Sequence, residues 1–368
     1  MTRGEHIKAE VKERVAELIE QAIEEVQHDP VPVPVAVVGL GYWGPNLARN
    51  FFALPSADLR YLVDLSEDLR ARHAPNFPGV VMADDLEVVL TDPGIEAVVL
   101  ASPVPTHHPL AKRVLEADKH CFVEKPLALS SAEARELRDL AADRDLRLMV
   151  GHLLEYHPGI EALKAMVDRG DFGRVLYIYG NRVNLGQVRA DENALWSLGP
   201  HDISVLCYLT GERPVAVAAH GRSYLRPGVE DVVFGYLEFA SGIIGHLQLS
   251  WLDPHKMRKI TVVGADKMAV FDDMESDRKL TVYDKGPQFA RPSYESYGEY
   301  VSLRFGDIHI PRISNAEPLR LECQHFLDAV REHRSPRSDG DDGVRVVEVL
   351  EALQQSMDEG GRRVELPS

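Results

Sequence analysis

Cysteine is scarce in this 368-residue chain. Cys121, Cys207 and Cys323 lie far apart, and none sits in a C-x-x-C pair. That excludes a disulfide framework and a cysteine-built zinc site, no metal is expected, and a reducing, cytoplasmic setting fits. Basic residues are in short supply too: 41 Lys and Arg stand against 58 Asp and Glu, a formal net charge of −17. A protein built to grip nucleic acid is normally basic, so that partner is excluded and the acidity reads as a solvated surface. No run of about 18 apolar residues occurs, which excludes a membrane-spanning helix. Charges interrupt every apolar stretch near the N-terminus, so no signal peptide is expected. Internal repeats and low-complexity segments are missing as well.

The chain does have length, and 45% of its residues are hydrophobic, the share of an ordinary globular protein. It is too long for one ordinary core, and its patterning divides it into residues 1–32, 33–150 and 151–368. In the first region Ile7, Val11, Val15, Ile19, Ile23 and Val26 form one apolar stripe on a charged helix. Pro30, Pro32 and Pro34 end it in a stiff linker. The stripe has two possible burial places, the rest of the chain or a neighbouring subunit; an acidic polar face disfavours a membrane surface.

From Val35 onward, continuous apolar strands ("VAVV", "DLRYLVD", "IEAVVL", "HCFV", "RLMV") alternate with helical patterns over Pro45–Leu54, Leu86–Leu90, Pro109–Ala117 and Ser131–Asp143. That alternation means an α/β, doubly wound parallel sheet covered on both faces, a Rossmann arrangement. After Gly151 the rhythm changes. Helices are expected over Pro158–Arg169 and Pro200–Leu209, then strands follow one another from "RVLYIYGNRV" to "MAVFD". Successive strands with short turns predict an α+β region with a large, mostly antiparallel, open sheet. Two last helices, Pro318–Glu332 and Gly343–Met357, are expected to return over the first region or the sheet.

"GLGYWG" places Gly39, Gly41 and Gly44 in G-x-G-x-x-G spacing, directly after a strand and opening a helix. In that context the pattern is a dinucleotide site. Gly39 permits the tight turn, Gly41 lets the backbone approach a pyrophosphate, and Gly44 lets helix and strand pack closely. The helix N-terminus supplies free N–H groups and partial positive charge. Asp64 ends the second strand, where an acid binds the adenosine ribose hydroxyls and repels a 2′-phosphate. Leu65 follows, with no arginine beside it, so NAD is expected rather than NADP. Alternatively, Asp64 only caps the turn into Ser66 and Glu67.

Together "GLGYWG", "ASPVPTHHPLA", "FVEKPLALS", "GHLLEYHP" and "WSLGPHD" resemble the glucose–fructose oxidoreductase / inositol dehydrogenase (Gfo/Idh/MocA) family of NAD(P)-dependent sugar oxidoreductases. The resemblance covers almost everything from Val33 to the C-terminus. It implies that Glu124-Lys125-Pro126 is the family's E-K-P motif, with a cis bond before the proline that aims Lys125 across the nicotinamide at the substrate. It implies cofactor contacts from Tyr42, Trp43, Ser102, Pro103, His107, Glu124, Lys125 and Pro126. For His107 and its neighbour His108, packing on a loop or helix cap stands equally open; adjacent positions on a helix do not share a face, so they make no metal pair.

Gly199 and Pro200 lead into a helix, which puts His201 in its first turn, where the cation is disfavoured and the imidazole is neutral. The resemblance implies that His201 is the base that takes the substrate proton and that Lys125 is its catalytic partner. Lys125, Tyr156, Asn184, Trp196 and His201 would border the sugar, with Glu155 and His157 nearby.

Two positions depart from the family pattern. Ser197 stands where many members carry an aspartate, leaving Asp202 or Glu192 as possible replacements, and Glu155 stands where many carry arginine. The first departure leans the resemblance toward nucleotide-sugar dehydrogenases acting at C3: an NAD-dependent enzyme oxidising a UDP-linked 2-acetamido sugar to its 3-keto form for amino-sugar biosynthesis. Free inositol, glucose or an antibiotic aminosugar are alternative substrates, and a non-catalytic dinucleotide-sensing regulator is a further alternative. Lys256, Arg258 and Lys259 concentrate positive charge either for a phosphate-bearing substrate or as guards of a strand edge. Relatives pair through the open sheet, so a homodimer or homotetramer is expected.

Overall fold

A computed structural model describes residues 31–367, except 187, 190–191 and 290–300. The amphipathic stripe between Ile7 and Val26 lies outside the described residues. The elements in chain order are β1 (Val33–Val38), α1 (Gly44–Ala53), β2 (Ala57–Val63), α2 (Glu67–His73), β3 (Val81–Ala83), α3 (Glu87–Leu90), β4 (Ala97–Leu100), α4 (His107–Glu116), β5 (His120–Val123), α5 (Ser131–Asp143) and β6 (Leu148–Val150). There follow α6 (Pro158–Asp168), β7 (Val175–Val183), α7 (Ala194–Thr210), β8 (Pro214–Arg222), β9 (Val232–Phe239), β10 (Ile244–Ser250), β11 (Met257–Gly264), β12 (Met268–Asp272), β13 (Leu280–Phe289), β14 (Val301–His309), α8 (Pro318–Arg331), α9 (Gly340–Asp358) and β15 (Val364–Glu365).

The first six strands form a parallel sheet in the order β3-β2-β1-β4-β5-β6. The order reverses beside β1, and ligands of such sheets bind at the carboxyl ends of the strands at that switch point. β1, β4 and β6 are buried at every residue, which is why their sequences run apolar without alternation. The second sheet has nine strands in the order β14-β13-β12-β11-β7-β10-β9-β8-β15. Its one parallel pair is β7 with β10; the rest are antiparallel. β13, β14 and the short β3 and β15 escape the sequence pattern. They are brief or interrupted by charges, Gly and Pro, as in "YDKGPQ".

α8 packs beside α1 on one face of the parallel sheet, burying Leu319, Cys323, Phe326 and Leu327 with Phe51 and Phe122. α9 reaches both sheets: Val344 and Val347 join the core around β4 and β5, while Val346, Leu350 and Leu353 join the core under the nine-stranded sheet. Its polar side is tied as widely. Glu348 holds Arg135 of α5 at 2.7 Å and Arg213 before β8 at 3.3 Å, and the Ser356 hydroxyl accepts the Ala219 N–H of β8 at 2.8 Å. No helix among the described residues is long and apolar enough to cross a membrane.

One element differs from the sequence expectation in a way that matters. The helix bearing His201 begins at Ala194, not at Pro200. Asn193 caps it, accepting the Trp196 N–H at 3.1 Å, and Pro200 sits inside the helix. An interior proline has no N–H to give the preceding turn and crowds its carbonyls. His201 is therefore two turns beyond the N-terminus, and the helix dipole does not set its protonation. The signal was Asn193 before "ALW", an N-cap that the more conspicuous Gly-Pro pair hid.

Candidate active site

One cleft of about 1610 Å³ runs across the carboxyl ends of β1, β4 and β5 to the rim of the second sheet. Sites for one drug-sized ligand span roughly 300–1,000 Å³, so this cleft has room for a cofactor and a substrate together.

The cofactor end is built from backbone. Gly39 has φ +95°, and a side chain there would also meet the Ala101 carbonyl oxygen at 2.6 Å. A Cβ on Gly44 would fall 1.8 Å from the Gly39 oxygen, whereas one on Gly41 would meet open space within 4 Å. The outer two glycines are thus required by the chain itself, and the middle one leaves an approach for a ligand. α1 opens just beyond with Pro45 in its first turn and no side chain capping its N–H groups. Its free N-terminus points the donors of an anion site into the cleft. Tyr42 is exposed at the mouth, and Trp43 lines the wall beside Glu124.

Asp64 lies on the same wall. Its Oδ2 accepts the Leu40 N–H at 2.6 Å and its Oδ1 the Ser66 N–H at 2.8 Å. It therefore both braces the glycine loop and caps the next turn, while each oxygen keeps a lone pair for a hydroxyl. An arginine does stand beside it in space, contrary to the sequence reading: Arg70 donates to the Asp64 carbonyl at 2.6 Å. That contact engages the backbone and leaves the carboxylate facing the cleft. The residues present fit NAD: free helix N–H groups, an open Gly41 and a carboxylate at the end of β2.

Ser102 and Pro103 follow β4 and line the cleft. His107 is buried between two carbonyls, with Nδ1 2.8 Å from Pro126 O and Nε2 2.9 Å from Ser102 O. Burial pushes its pKa down, against the pull of those two carbonyls. With one N–H the neutral ring bonds one of the two carbonyls and wedges between the Ser102 loop and the loop of Pro126, where the Lys125–Pro126 bond is cis. Half-buried His108 turns away to Glu136, 2.7 Å off.

Glu124 is half-buried beside Trp43 and packs against Gly151. Burial pushes its carboxyl up to about 7, opposed by Lys125. A fully buried carboxyl lies within its field: Glu322 of α8 has neither oxygen hydrogen-bonded, and burial, then Glu124, hold its pKa well above the ordinary range.

Lys125 crosses the cleft and donates from Nζ to the Ser197 carbonyl at 3.1 Å, one turn before His201. Burial lowers its pKa, partly offset by Glu124 and Glu192. His201 lines the cleft, and its buried Nδ1 has no hydrogen-bond partner. Its pKa lies well below that of free imidazole because of burial, then the charges of Lys125, Arg182, His152 and Arg258. Neutrality, the property expected of His201, therefore comes from desolvation and cations rather than from a helix terminus.

Neither proposed replacement for the missing aspartate serves His201. Asp202 is buried in an ion pair with Arg182, and Glu192 pairs with Arg189 at 2.9 Å. Asn184 and Trp196 line the cleft as expected, and so does His157. Tyr156 does not: it is buried, its hydroxyl is 2.9 Å from Ser338 Oγ, and the Arg337 guanidinium covers its ring at 4.8 Å. Glu155 is buried likewise and faces Asp342 rather than the cleft.

Sequence reasoning named Lys256 and Arg258 of the far wall and missed Arg182 and Arg189. Arg182, Arg189, Lys256 and Arg258 converge there from β7, the segment after it, and the start of β11. β11 lies between β12 and β7, so Lys256 and Arg258 guard no sheet edge. Lys259 points elsewhere, to Asp272 at 2.9 Å. Arg258 has Asp273 at 3.4 Å, and Lys256 is exposed at the mouth.

Comparison with known proteins agrees with this geometry. Residues 33–152 match the family model described as "Oxidoreductase family, NAD-binding Rossmann fold", and residues 164–366 match "Oxidoreductase family, C-terminal alpha/beta domain". The chain is 27% identical over 318 residues to scyllo-inositol 2-dehydrogenase (NAD(+)) of Bacillus subtilis, covering 83% of this chain and 88% of that one. It is 25% identical over 318 residues to UDP-N-acetylglucosamine 3-dehydrogenase of Acidithiobacillus ferrooxidans, covering 84% and 93%. Among solved structures, GenD2 from gentamicin A biosynthesis, in complex with NAD, superposes with a TM-score of 0.77 at 28% identity, covering 93% of this chain and 98% of that one.

Proposed function

The chain belongs to the Gfo/Idh/MocA oxidoreductase family, and from that premise we propose that this NAD-dependent sugar dehydrogenase oxidises C3 of a UDP-linked 2-acetamido sugar to a ketone. The observation that carries the substrate is the cationic wall. Arg182, Arg189, Lys256 and Arg258 gather at the substrate end of a protein whose net charge is −17. A diphosphate suits such a wall, and a free polyol does not need it. The similarity to a UDP-N-acetylglucosamine 3-dehydrogenase points the same way. The slightly higher identity to an inositol dehydrogenase favours a free cyclitol as the second reading.

Bound NAD supplies the hydride acceptor. The chain's own residues do the rest. Neutral His201 takes the proton from the substrate hydroxyl. Lys125, held by the Ser197 carbonyl, donates a hydrogen bond to the same oxygen and stabilises its developing negative charge. Trp196 and Asn184 border the ring. The presence of both Lys125 and His201 in one cleft argues against a purely sensing role.

The test is reduction of NAD, followed by absorbance, with UDP-N-acetylglucosamine, free N-acetylglucosamine, glucose, myo-inositol and scyllo-inositol. Turnover confined to the UDP-sugar is expected. Better turnover of a free cyclitol would replace the substrate assignment and leave the family chemistry in place.

We further propose self-association through the open face of the nine-stranded sheet. Tyr177, Phe234 and Ile244 are exposed on adjacent strands and share one face by register. Phe305 continues the apolar surface on β14, with Lys285 over its ring at 5.8 Å. Light scattering should report a dimer or tetramer, and a monomer when Phe234 and Phe305 are both made Glu.

A further inference from the structure

Beside Arg258, the wall of the cleft holds a polar pair that the proposed chemistry does not use. His157 and Asp273 both line the cleft, the first just before α6 and the second just after β12. His157 is the N-cap of α6, and its Nδ1 accepts the Gly159 N–H at 2.9 Å. A ring nitrogen that accepts carries no hydrogen, so the one hydrogen of the neutral imidazole is on Nε2. Burial lowers the pKa of the ring, against the Asp273 charge, and favours that neutral form. The ring is also wedged. Phe271 of β12 meets it edge to face with 4.8 Å between centroids, and lies so close to Gly159 that a Cβ there would fall 2.7 Å from it.

Asp273 is held as firmly. Its N–H donates to the Arg258 carbonyl at 3.0 Å, and its own carbonyl accepts from Lys279 Nζ at 3.2 Å. Its Oδ2 lies 3.4 Å from Arg258. Its Oδ1 has His157 Nε2 at 3.6 Å and Lys279 Nζ at 3.7 Å, both beyond hydrogen-bond reach. A donor with its hydrogen fixed on Nε2 and an acceptor oxygen thus stand across a gap too wide for a bond. Neither side chain is sealed: 7% of one and 21% of the other stay exposed where the cleft runs past them.

We propose that His157 and Asp273 together read one hydroxyl of the substrate ring, other than the one oxidised, and so help to determine which sugar is accepted. The inference rests on the cleft as a sugar site and not on which sugar fills it. A single oxygen about 2.8 Å from each atom closes the 3.6 Å gap. It must accept from the imidazole and donate to the carboxylate, and a hydroxyl does both. A phosphate oxygen only accepts, and the carboxylate repels it. The N–H and C=O of a trans amide point apart, so an acetamido group satisfies one member of the pair and leaves the other bare. Asp273 also offsets the Arg258 charge, which suits this corner of the cationic wall to a neutral hydroxyl. A ring lacking that hydroxyl leaves donor and carboxylate unbonded, and a site built this way rejects such a ring more strongly than apolar contact can.

The test compares singly deoxygenated analogues of whichever sugar the wild type oxidises best. One of them, with its reacting carbon untouched, should lose roughly tenfold to a hundredfold in kcat/KM. His157→Asn keeps a helix cap but is too short to hold a donor at the gap, and Asp273→Ala removes the acceptor. Each variant should lower kcat/KM for the parent sugar by a similar factor and bring that same analogue level with it. Every other analogue should keep its wild-type ratio to the parent. A merely structural pair lowers all the sugars alike, and that result overturns the proposal. So does loss of preference at different hydroxyls in the two variants, or a wild type indifferent to every deoxygenation. If one variant does not fold, the other decides by the same ratio. If neither folds, or no sugar is oxidised (in which case the functional reading fails as well), NMR of the wild type decides. Long-range proton–nitrogen spectra of the histidine-labelled full chain at pH 7 should place hydrogen on Nε2 of His157. Saturating scyllo-inositol or UDP-N-acetylglucosamine, added with NADH, should move that signal. Hydrogen on Nδ1, or a signal that neither sugar moves, overturns the pair.

Discussion

The two ends of the cleft are built from different materials. At the cofactor end the working groups are mostly backbone: the turn at Gly39, the free N–H groups of α1, and the carbonyls of Ser102 and Pro126 on either side of His107. At the substrate end they are charged side chains from the end of β5 and from β7, α7 and β11, gathered by the fold, their positive excess only partly offset by acids in pairs such as Arg182–Asp202 and Arg189–Glu192. The first end accepts a ligand whose shape is constant. The second can be re-specified by changing single side chains without disturbing a loop, which is how one fold comes to serve many sugars.

Changes at the boundary between the two ends should have the largest effects. Lys125→Met removes the cation that belongs to both, and turnover should fall by about 10²–10³-fold, the usual loss for a donor to a developing oxyanion. Calorimetric NAD binding should survive; full activity would remove Lys125 from the chemistry. Arg182→Met tests whether the substrate wall is also structural. It strands Asp202, fully buried, without its partner. Breaking a buried pair on one side destabilises by about 3–5 kcal/mol, read by urea unfolding, and an unchanged midpoint would make the pair dispensable.

A smaller, more selective effect is expected from Lys256→Ala with Arg189→Ala. KM for UDP-N-acetylglucosamine should rise several-fold and kcat should hold. Salt should erase the difference, because these cations are exposed. Equal effects on a free sugar would sink the diphosphate assignment.

The smallest effect lies under the cofactor end. The Glu322 carboxyl titrates in the folded chain well above its unfolded value near 4.3, so the stability it contributes is complete below that pH. That contribution is lost as pH rises through the folded value. Glu322→Gln does not titrate, so its melting temperature should gain on wild type as pH climbs from about 4 to 8. A constant gap would mean that Glu322 is not protonated in the native state.

The same difference in materials decided what was legible beforehand. Backbone sites impose their demands on consecutive residues, so "GLGYWG" and "EKP" announce themselves, and the alternation of apolar strands with helices announces the six-stranded sheet. Side-chain sites impose demands only in space. Arg182 and Arg258 are 76 positions apart, and the register of β7 with β11 makes them partners. Tyr156 failed as a sugar contact for the converse reason. It sits next to residues that do line the cleft, but a 3₁₀ turn over Leu153–Tyr156 points it inward to Ser338. His201 does line the cleft, and its neutrality was foreseen for the wrong cause, because Gly199-Pro200 resembles a helix start and lies inside one.

α9 gives the molecule a splint. One rod is bonded to α5 through Glu348 and Arg135, to β8 through Ser356, and to the turn after β6 through Asp342 and His152. Both halves of the cleft are fastened to it along its length, so they cannot swing apart like jaws without breaking buried contacts at several places. Cofactor and sugar therefore meet along the exposed rim of the cleft, where Tyr42 and Lys256 stand at its two ends, and not by a parting of its walls.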